Sequence, residues 1–171
     1  RFLSTRTVGY DHIDLAYARK IGIHIGNATY ASESVADYTI MLILMALRKM
    51  KLILQSAVSQ DYSFDAVLGS NLKGKTLGVI GTGAIGQTLI RHIAGFGCKI
   101  LAYNPHPRKE MEQYVTYVDL NTLYQNSDII TLHVPLNDAT YHLLNEAAFA
   151  RMKPGVIIVN TARGPLIDNT A

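Results

Sequence analysis

In the last two thirds of the chain, apolar positions fall into short runs separated by amphipathic stretches. Thr76–Ile80 is an apolar run of strand length, and Ala84–Phe96 follows with Ile85, Leu89, Ile93 and Phe96 at helical spacing. Lys99–Tyr103 reads as a second strand, stopped by Asn104-Pro105. Tyr114–Val118 is a short extended piece, and Asp119 is placed to cap a helix from about Leu120 to Gln125. Asp128–Val134 is the next strand, ended by Pro135, and a helix around Glu146–Met152 leads into a buried strand at Val156–Asn160. Strands that are apolar throughout, alternating with helices, predict an α/β fold with a parallel sheet covered on both faces.

The first third has a different pattern. Arg1–Ser4 reads as the end of a strand, His12–Ile21 as a helix and Ile23–Ile25 as another strand. Ser34-Val-Ala-Asp37 looks like a capping box opening a long helix. With Val35, Ile40, Met41, Leu44, Met45 and Leu47, that helix is apolar nearly all round, which predicts burial between domains or subunits. Gln55–Lys75, with Gly69, Gly74 and many polar residues, reads as a linker or interface arm. The expected division is therefore 1–30, a junction helix in 31–54, the arm in 55–75 and the sheet domain in 76–171.

Composition narrows the partners. With 49% hydrophobic and 17% charged residues, the chain has the balance of a folded globular protein. Its net charge of +3 is dispersed, so neither nucleic acid nor an anionic membrane surface is an expected partner. The run Tyr38–Leu47 falls well short of the ~20 residues that span a bilayer. No secretory leader is evident, and the single cysteine, Cys98, allows neither an internal disulfide nor a cysteine metal cage. A cytoplasmic location is expected, with no metal site. The chain opens at Arg1 in what reads as mid-strand, as a piece of a longer protein would.

In an open parallel sheet, ligands bind beyond the carboxyl ends of the strands. Gly81-Thr82-Gly83-Ala84-Ile85-Gly86 follows the first strand, Asn104-Pro-His-Pro-Arg108 the second, His133-Val134-Pro135 closes the third, and Thr161-Ala162-Arg163-Gly164 follows the last. All of these segments share one edge. Gly81 allows a tight turn, Gly83 lets backbone approach a pyrophosphate, and Gly86 allows close helix–strand packing. The helix beginning near Ala84 and Ile85 then offers N–H groups to phosphates. A Rossmann-type doubly wound sheet, incomplete within these residues, is the expected fold.

The acid expected ~20 residues after such a glycine segment, which would hold a ribose 2′-hydroxyl, is replaced by Asn104. Asparagine can hydrogen-bond the ribose without repelling a 2′-phosphate, and Arg108 and Lys109 are near in sequence. NAD is the expected cofactor, with NADP left open. Arg163, between a buried strand and Gly164, could grip a carboxylate through two parallel hydrogen bonds. His133 could touch cofactor or substrate, or serve structure alone. The other histidines, His12, His24, His92, His106 and His142, have no acid at telling spacing, and Asp168 reads as the cap of a helix beginning at Asn169–Ala171.

Taken together, Ser4-Thr-Arg6-Thr-Val-Gly9-Tyr-Asp-His-Ile-Asp14, Tyr30-Ala-Ser-Glu-Ser34-Val-Ala-Asp37, the glycine segment, Leu132-His-Val-Pro135 and Asn160-Thr-Ala-Arg-Gly164 resemble the D-isomer-specific 2-hydroxyacid dehydrogenases, within them the D-lactate dehydrogenase branch. The resemblance implies hydride transfer between a nicotinamide and C2 of a 2-oxo acid, with pyruvate and D-lactate as the leading pair. It implies that Arg163 binds and polarises the oxo acid, that the Val8 and Gly9 N–H groups hold its carboxylate, and that Tyr30 lies beside it. Thr82–Ile85 would take the pyrophosphate within the cofactor-binding turn Gly81–Gly86, while His133, Val134, Pro135, Thr161 and Ala162 would line the nicotinamide side.

It further implies that residues 1–30 end a smaller, flavodoxin-like substrate domain and that the long helix contributes to a homodimer. The family's catalytic glutamate and proton-donating histidine follow the arginine at positions beyond Ala171, so these residues alone are expected to lack turnover. The family usually has an acid where Asn104 stands and often a proline where Ser32 stands. The competing expectation is a dinucleotide-binding module without catalysis, like a redox-sensing corepressor, and a third is a family member acting on another 2-hydroxy acid.

Overall fold

At the start of the chain, β1 (Phe2–Ser4) and β2 (His24–Gly26) pair in parallel through the crossover helix α1 (Leu15–Lys20). The computed structural model describes residues 1–29, 31–63 and 68–171. α1 is shorter than the expected His12–Ile21 because Asp14 caps it, accepting a 2.8 Å hydrogen bond from the Tyr17 N–H. Two helices follow, α2 (Ser32–Leu47) and α3 (Met50–Val58), and α3 occupies the first part of the segment expected as an arm. Residues 64–67 of that arm lie outside the described residues.

The rest of the chain builds the sheet in the order β3 (Thr76–Ile80), α4 (Ala84–Ile93), β4 (Lys99–Tyr103), β5 (Thr116–Tyr117), α5 (Leu120–Asn126), β6 (Ile129–Leu132), α6 (Glu146–Phe149) and β7 (Ile157–Asn160). All five strands are parallel, in the spatial order β5-β4-β3-β6-β7. The chain thus winds outward from β3 to β5, then returns to lay β6 on the other side of β3. That reversal opens a crevice at the carboxyl ends of β3 and β6.

Alternation along the strands divides the core. Leu77, Val79, Ile100, Ala102, Ile129 and Val159 face α2 and α4, packing with Ile43, Leu89, Ile90 and Ile93. Ile80, Leu101, Ile130 and Leu132 face α5 and α6 with Leu123, Leu144 and Leu166. Both faces are covered, as the continuous apolar strands predict.

Several boundaries differ from the expectations for physical reasons. Asp128 borders β6: its N–H donates to the Thr76 carbonyl at 2.8 Å and its carbonyl accepts from the Ile157 N–H, while Oδ2 accepts from the Thr76 N–H at 2.8 Å and Oδ1 from Lys153 Nζ at 2.9 Å. α4 ends at Ile93 and tightens to a 3-10 turn over Ala94–Phe96, closed by Gly97 at φ 73°. α6 stops at Phe149, short of the expected Met152.

α2 corrects one expectation, the position of its start. It begins at Ser32, so Ser34 lies within its first turn, and its N-cap Ala31 makes no side-chain capping bond. The Ser32 hydroxyl instead lies 2.8 Å from Thr88 Oγ1 on α4. Within this chain the helix buries one stripe. Ala36, Thr39, Ile43 and Leu47 form its buried stripe, whereas Tyr38 and Met41 are 53% and 43% exposed. Asp119 caps α5 as the pattern predicts, accepting from the Thr122 N–H at 2.9 Å.

Ile43 is fully buried where α2 meets α4 and the sheet. Ile43→Ala is expected to lower unfolding stability by about 2–5 kcal/mol, read from urea denaturation. A loss under about 1 kcal/mol would mean that α2 is not docked in this way.

Candidate functional site

The glycine segment, Asn104, His133 and Arg163 all sit at the carboxyl edge of the sheet, as their positions after the strands predict. Gly81 adopts φ 99°, and a Cβ there would come within 2.5 Å of the His133 carbonyl oxygen. Its N–H donates to the Tyr103 carbonyl at 2.8 Å. A Cβ at Gly86 would overlap the Gly81 carbonyl oxygen, so the absence of side chains sets how closely α4 meets the turn. A Cβ at Gly83 would meet nothing within 4 Å. No side chain caps α4, whose N-cap is Gly83, so among the described residues the first-turn N–H groups at Ala84 and Ile85 have no capping side chain. An open cradle in front of an uncapped helix end suits a pyrophosphate.

Thr82, almost wholly buried, is the hub of a polar network. Its N–H donates to Asn104 Oδ1 at 3.3 Å, its Oγ1 accepts from the Tyr117 hydroxyl at 3.1 Å, and its carbonyl accepts from Gln87 Nε2 at 3.0 Å. Asn104 Nδ2 donates to the His106 carbonyl at 2.6 Å. Asn104 therefore braces the glycine turn besides facing the edge. Tyr117 was not among the expected site residues. Its one signal is position, at the carboxyl end of β5 beside β4.

On the other side of the crevice, the His133 N–H donates to the Ile80 carbonyl at 2.7 Å and its Nε2 lies 3.0 Å from Thr131 Oγ1. Burial pushes the His133 pKa down to about 4, so the imidazole is neutral at neutral pH. Val134 approaches the turn at Gly81, and Pro135 lies on the exposed rim, its carbonyl accepting from Thr140 Oγ1. Thr161 Oγ1 lies 2.9 Å from Thr39 Oγ1 of α2. Asn160 pins the turn that follows: its Oδ1 accepts from the Ala162 N–H at 3.0 Å and its Nδ2 donates to the Arg163 carbonyl at 2.7 Å.

Arg163 leaves this turn toward the 1–29 segment. Its Nε donates to Asp11 Oδ1 at 2.8 Å and Nη1 to the Ala162 carbonyl at 2.9 Å. The Nη2 end lies against Gly9, where a Cβ would overlap it. The loop around Gly9 is held by its carbonyls: Thr7 O accepts from Thr5 Oγ1, Val8 O from Asn27 Nδ2 and Gly9 O from Thr7 Oγ1, at 2.7–2.9 Å. Among the described residues, no protein hydrogen bond uses the Val8 or Gly9 N–H. Two donors and a guanidinium end thus share one small region, a suitable seat for a carboxylate. Tyr30, expected beside it, lies outside the described residues.

Two histidines do have acidic partners, distant in sequence: His92 Nδ1 lies 2.8 Å from Asp37 and His142 Nδ1 lies 3.6 Å from Asp168. Asp168 also accepts from the Thr170 N–H, but Asn169 and Thr170 form a turn rather than the start of a helix.

Comparison with known proteins gives consistent likenesses. Residues 40–171 match the family described as D-isomer specific 2-hydroxyacid dehydrogenase, NAD binding domain. The chain is 46% identical over 168 residues to a D-specific alpha-keto acid dehydrogenase of Enterococcus faecium, covering 98% of this chain and 51% of that protein. It is 42% identical over 173 residues to D-lactate dehydrogenase of Escherichia coli strain K12, covering 100% of this chain and 53% of the relative. A D-lactate dehydrogenase from Aquifex aeolicus, solved with NAD and lactic acid, superposes with a TM-score of 0.93 at 39% identity, covering 98% of this chain and 51% of that one. The chain spans about half the length of the curated relatives it matches.

Among the described residues, no helix is long and apolar enough to cross a membrane.

Because the folded His133 titrates at about 4 rather than near its ordinary 6.5, the unfolded chain binds a proton first as pH falls. Its contribution is complete above pH 6.5 and is lost progressively down to about 4, on the order of 3 kcal/mol in all. Urea midpoints measured across this window should fall for the wild type and flatten for His133→Gln.

Proposed function

Because the chain belongs to the D-isomer-specific 2-hydroxyacid dehydrogenases, we propose that the protein carrying it transfers a hydride between NAD(H) and a D-2-hydroxy acid/2-oxo acid pair. The favoured pair is D-lactate and pyruvate, in keeping with the relatives named D-lactate dehydrogenase. The observation that carries the reading is the meeting of Arg163 Nη2 with Gly9, beside N–H groups without partners among the described residues and next to the nucleotide crevice.

In this assignment Thr82, Gly83, Ala84 and Ile85 hold the pyrophosphate, with Gly81 and Gly86 shaping the turn. Asn104 takes the ribose edge, and His133, Val134, Pro135, Thr161 and Ala162 line the nicotinamide side. When bound, the nicotinamide supplies or accepts the hydride at C2. The Val8 and Gly9 N–H groups hold the substrate carboxylate, and Arg163 polarises the C2 oxygen, stabilising negative charge as it develops. The neutral His133 adds no charge near the nicotinamide ring, where a cation would oppose the oxidised form.

The same reading makes the protein a cytoplasmic homodimer. The outer face of α2 supports it: an apolar groove there is lined by Ile40, Met41, Leu44, Met45 and Met50, beside exposed Leu52, Ile53 and Leu54 on α3.

The test is oxidation of NADH by pyruvate in the full protein, with Arg163→Gln beside the wild type. Losing two charge-assisted hydrogen bonds, at about 1.5–3 kcal/mol each, should lower kcat/KM by roughly 10²–10⁴-fold. Undiminished turnover in Arg163→Gln would remove the role given to that residue. Asn104→Asp should shift preference further from NADPH toward NADH by about tenfold, ~1.4 kcal/mol of charge repulsion, seen as a changed ratio of the two dissociation constants.

A further inference from the structure

Arg163 has an anchor that comes from the opposite end of the chain. Asp11 lies in the loop between β1 and α1, and its Oδ1 accepts from Arg163 Nε at 2.8 Å across 152 positions of sequence. The guanidinium is planar, and its N–H groups point in fixed directions. Nε is taken by Asp11, and Nη1 donates to the Ala162 carbonyl at 2.9 Å. With two of three nitrogens engaged, the plane can no longer turn about its stem. The nitrogen left over, Nη2, is the one against Gly9.

The carboxylate is itself well seated. The loop bearing it is held by the bonds from Thr5, Thr7 and Asn27, and the Tyr10 carbonyl accepts from the Ile13 N–H at 3.0 Å. Asp11 engages the guanidinium through Nε, and its Oδ1 itself lies near Gly9, where a Cβ would come within 3.1 Å of it. Guanidinium and carboxylate are thus both fixed beside the Gly9 backbone.

We propose that Asp11 is a positioning residue, which fixes Arg163 by its Nε so that Nη2 is presented to the oxo acid held at Gly9. The proposal rests on the substrate role given to Arg163 above. It assigns the DHID segment (Asp11–Asp14) two separate duties, since Asp14 caps α1 while Asp11 reaches the other half of the site. The distinctive requirement is a hydrogen-bond acceptor at position 11 rather than a negative charge: a charge alone would weaken the field that attracts a 2-oxo acid.

Steady-state kinetics of the full protein with pyruvate and NADH would compare wild type, Asp11→Ala and Asp11→Asn. Loss of a charge-assisted hydrogen bond that orients the arginine should cost Asp11→Ala roughly 10- to 100-fold in kcat/KM for pyruvate, while its dissociation constant for NADH stays within about twofold. Asp11→Asn keeps an acceptor oxygen and should recover most of that loss. The Arg163 Nε–H resonance, assigned in the ¹⁵N spectrum by its disappearance in Arg163→Lys, gives a readout that needs no substrate. It should move to the position of solvent-exposed arginines in Asp11→Ala and remain displaced in Asp11→Asn.

Wild-type kcat/KM in Asp11→Ala, a lowered KM there, or an unmoved resonance would overturn the proposal. So would equal loss in both variants together with weakened NADH binding, the mark of general damage. If the wild-type protein reduces no 2-oxo acid at all, the functional reading fails instead, and the resonance alone then decides whether Asp11 holds Arg163.

Discussion

The arrangement turns on how closely the backbone at the end of β6 passes the turn that follows β3. Gly81 has both a positive φ and a His133 carbonyl where a Cβ would stand, so any side chain would be strained twice over. Gly86 then lets α4 settle against the same turn. From there the geometry propagates by ordinary packing. α4 seats α2 through Leu89, Ile90, Ile93 and Ile43, and α2 in turn presents Thr39 to Thr161. The loop that carries Arg163 is thus positioned partly by a helix whose own place depends on two missing side chains.

This chain of dependence explains what could be read from the residues alone. The inner strands were legible because burial on both faces makes them continuous apolar runs, and such runs have few other solutions. The glycine turn was legible because backbone recognition of phosphate has a local signature. The two faces of α2 show where the residues alone run out. One apolar stripe faces α4 and another remains exposed, and hydrophobicity alone does not distinguish a core from an uncovered face. Its start was displaced because Ser32 spends its hydroxyl on Thr88, a partner 56 residues away.

The remaining gaps in the site have the same origin. Asp11 with Arg163, Asp37 with His92, and Tyr117 with Thr82 are contacts between distant segments that leave no periodic trace. Asn104 shows the difference within one residue. Its place after β4 was evident from the pattern, but the bond from the Thr82 N–H, which makes it a brace for the glycine turn, became visible only with the fold.

The two halves of the site therefore differ in how they are built. The nucleotide side uses backbone N–H groups and a helix end, which a short stretch of chain can assemble by itself. The proposed substrate side relies on a directed guanidinium, and a long flexible side chain cannot direct itself. Arg163 and Asp11 are 37% and 31% exposed, and an ion pair so open to water contributes at most about 1 kcal/mol to stability. Their pairing is thus a poor device for holding the protein together. Its worth lies in what it removes: the rotational freedom of the cation facing Gly9, lost before a substrate arrives rather than during the reaction.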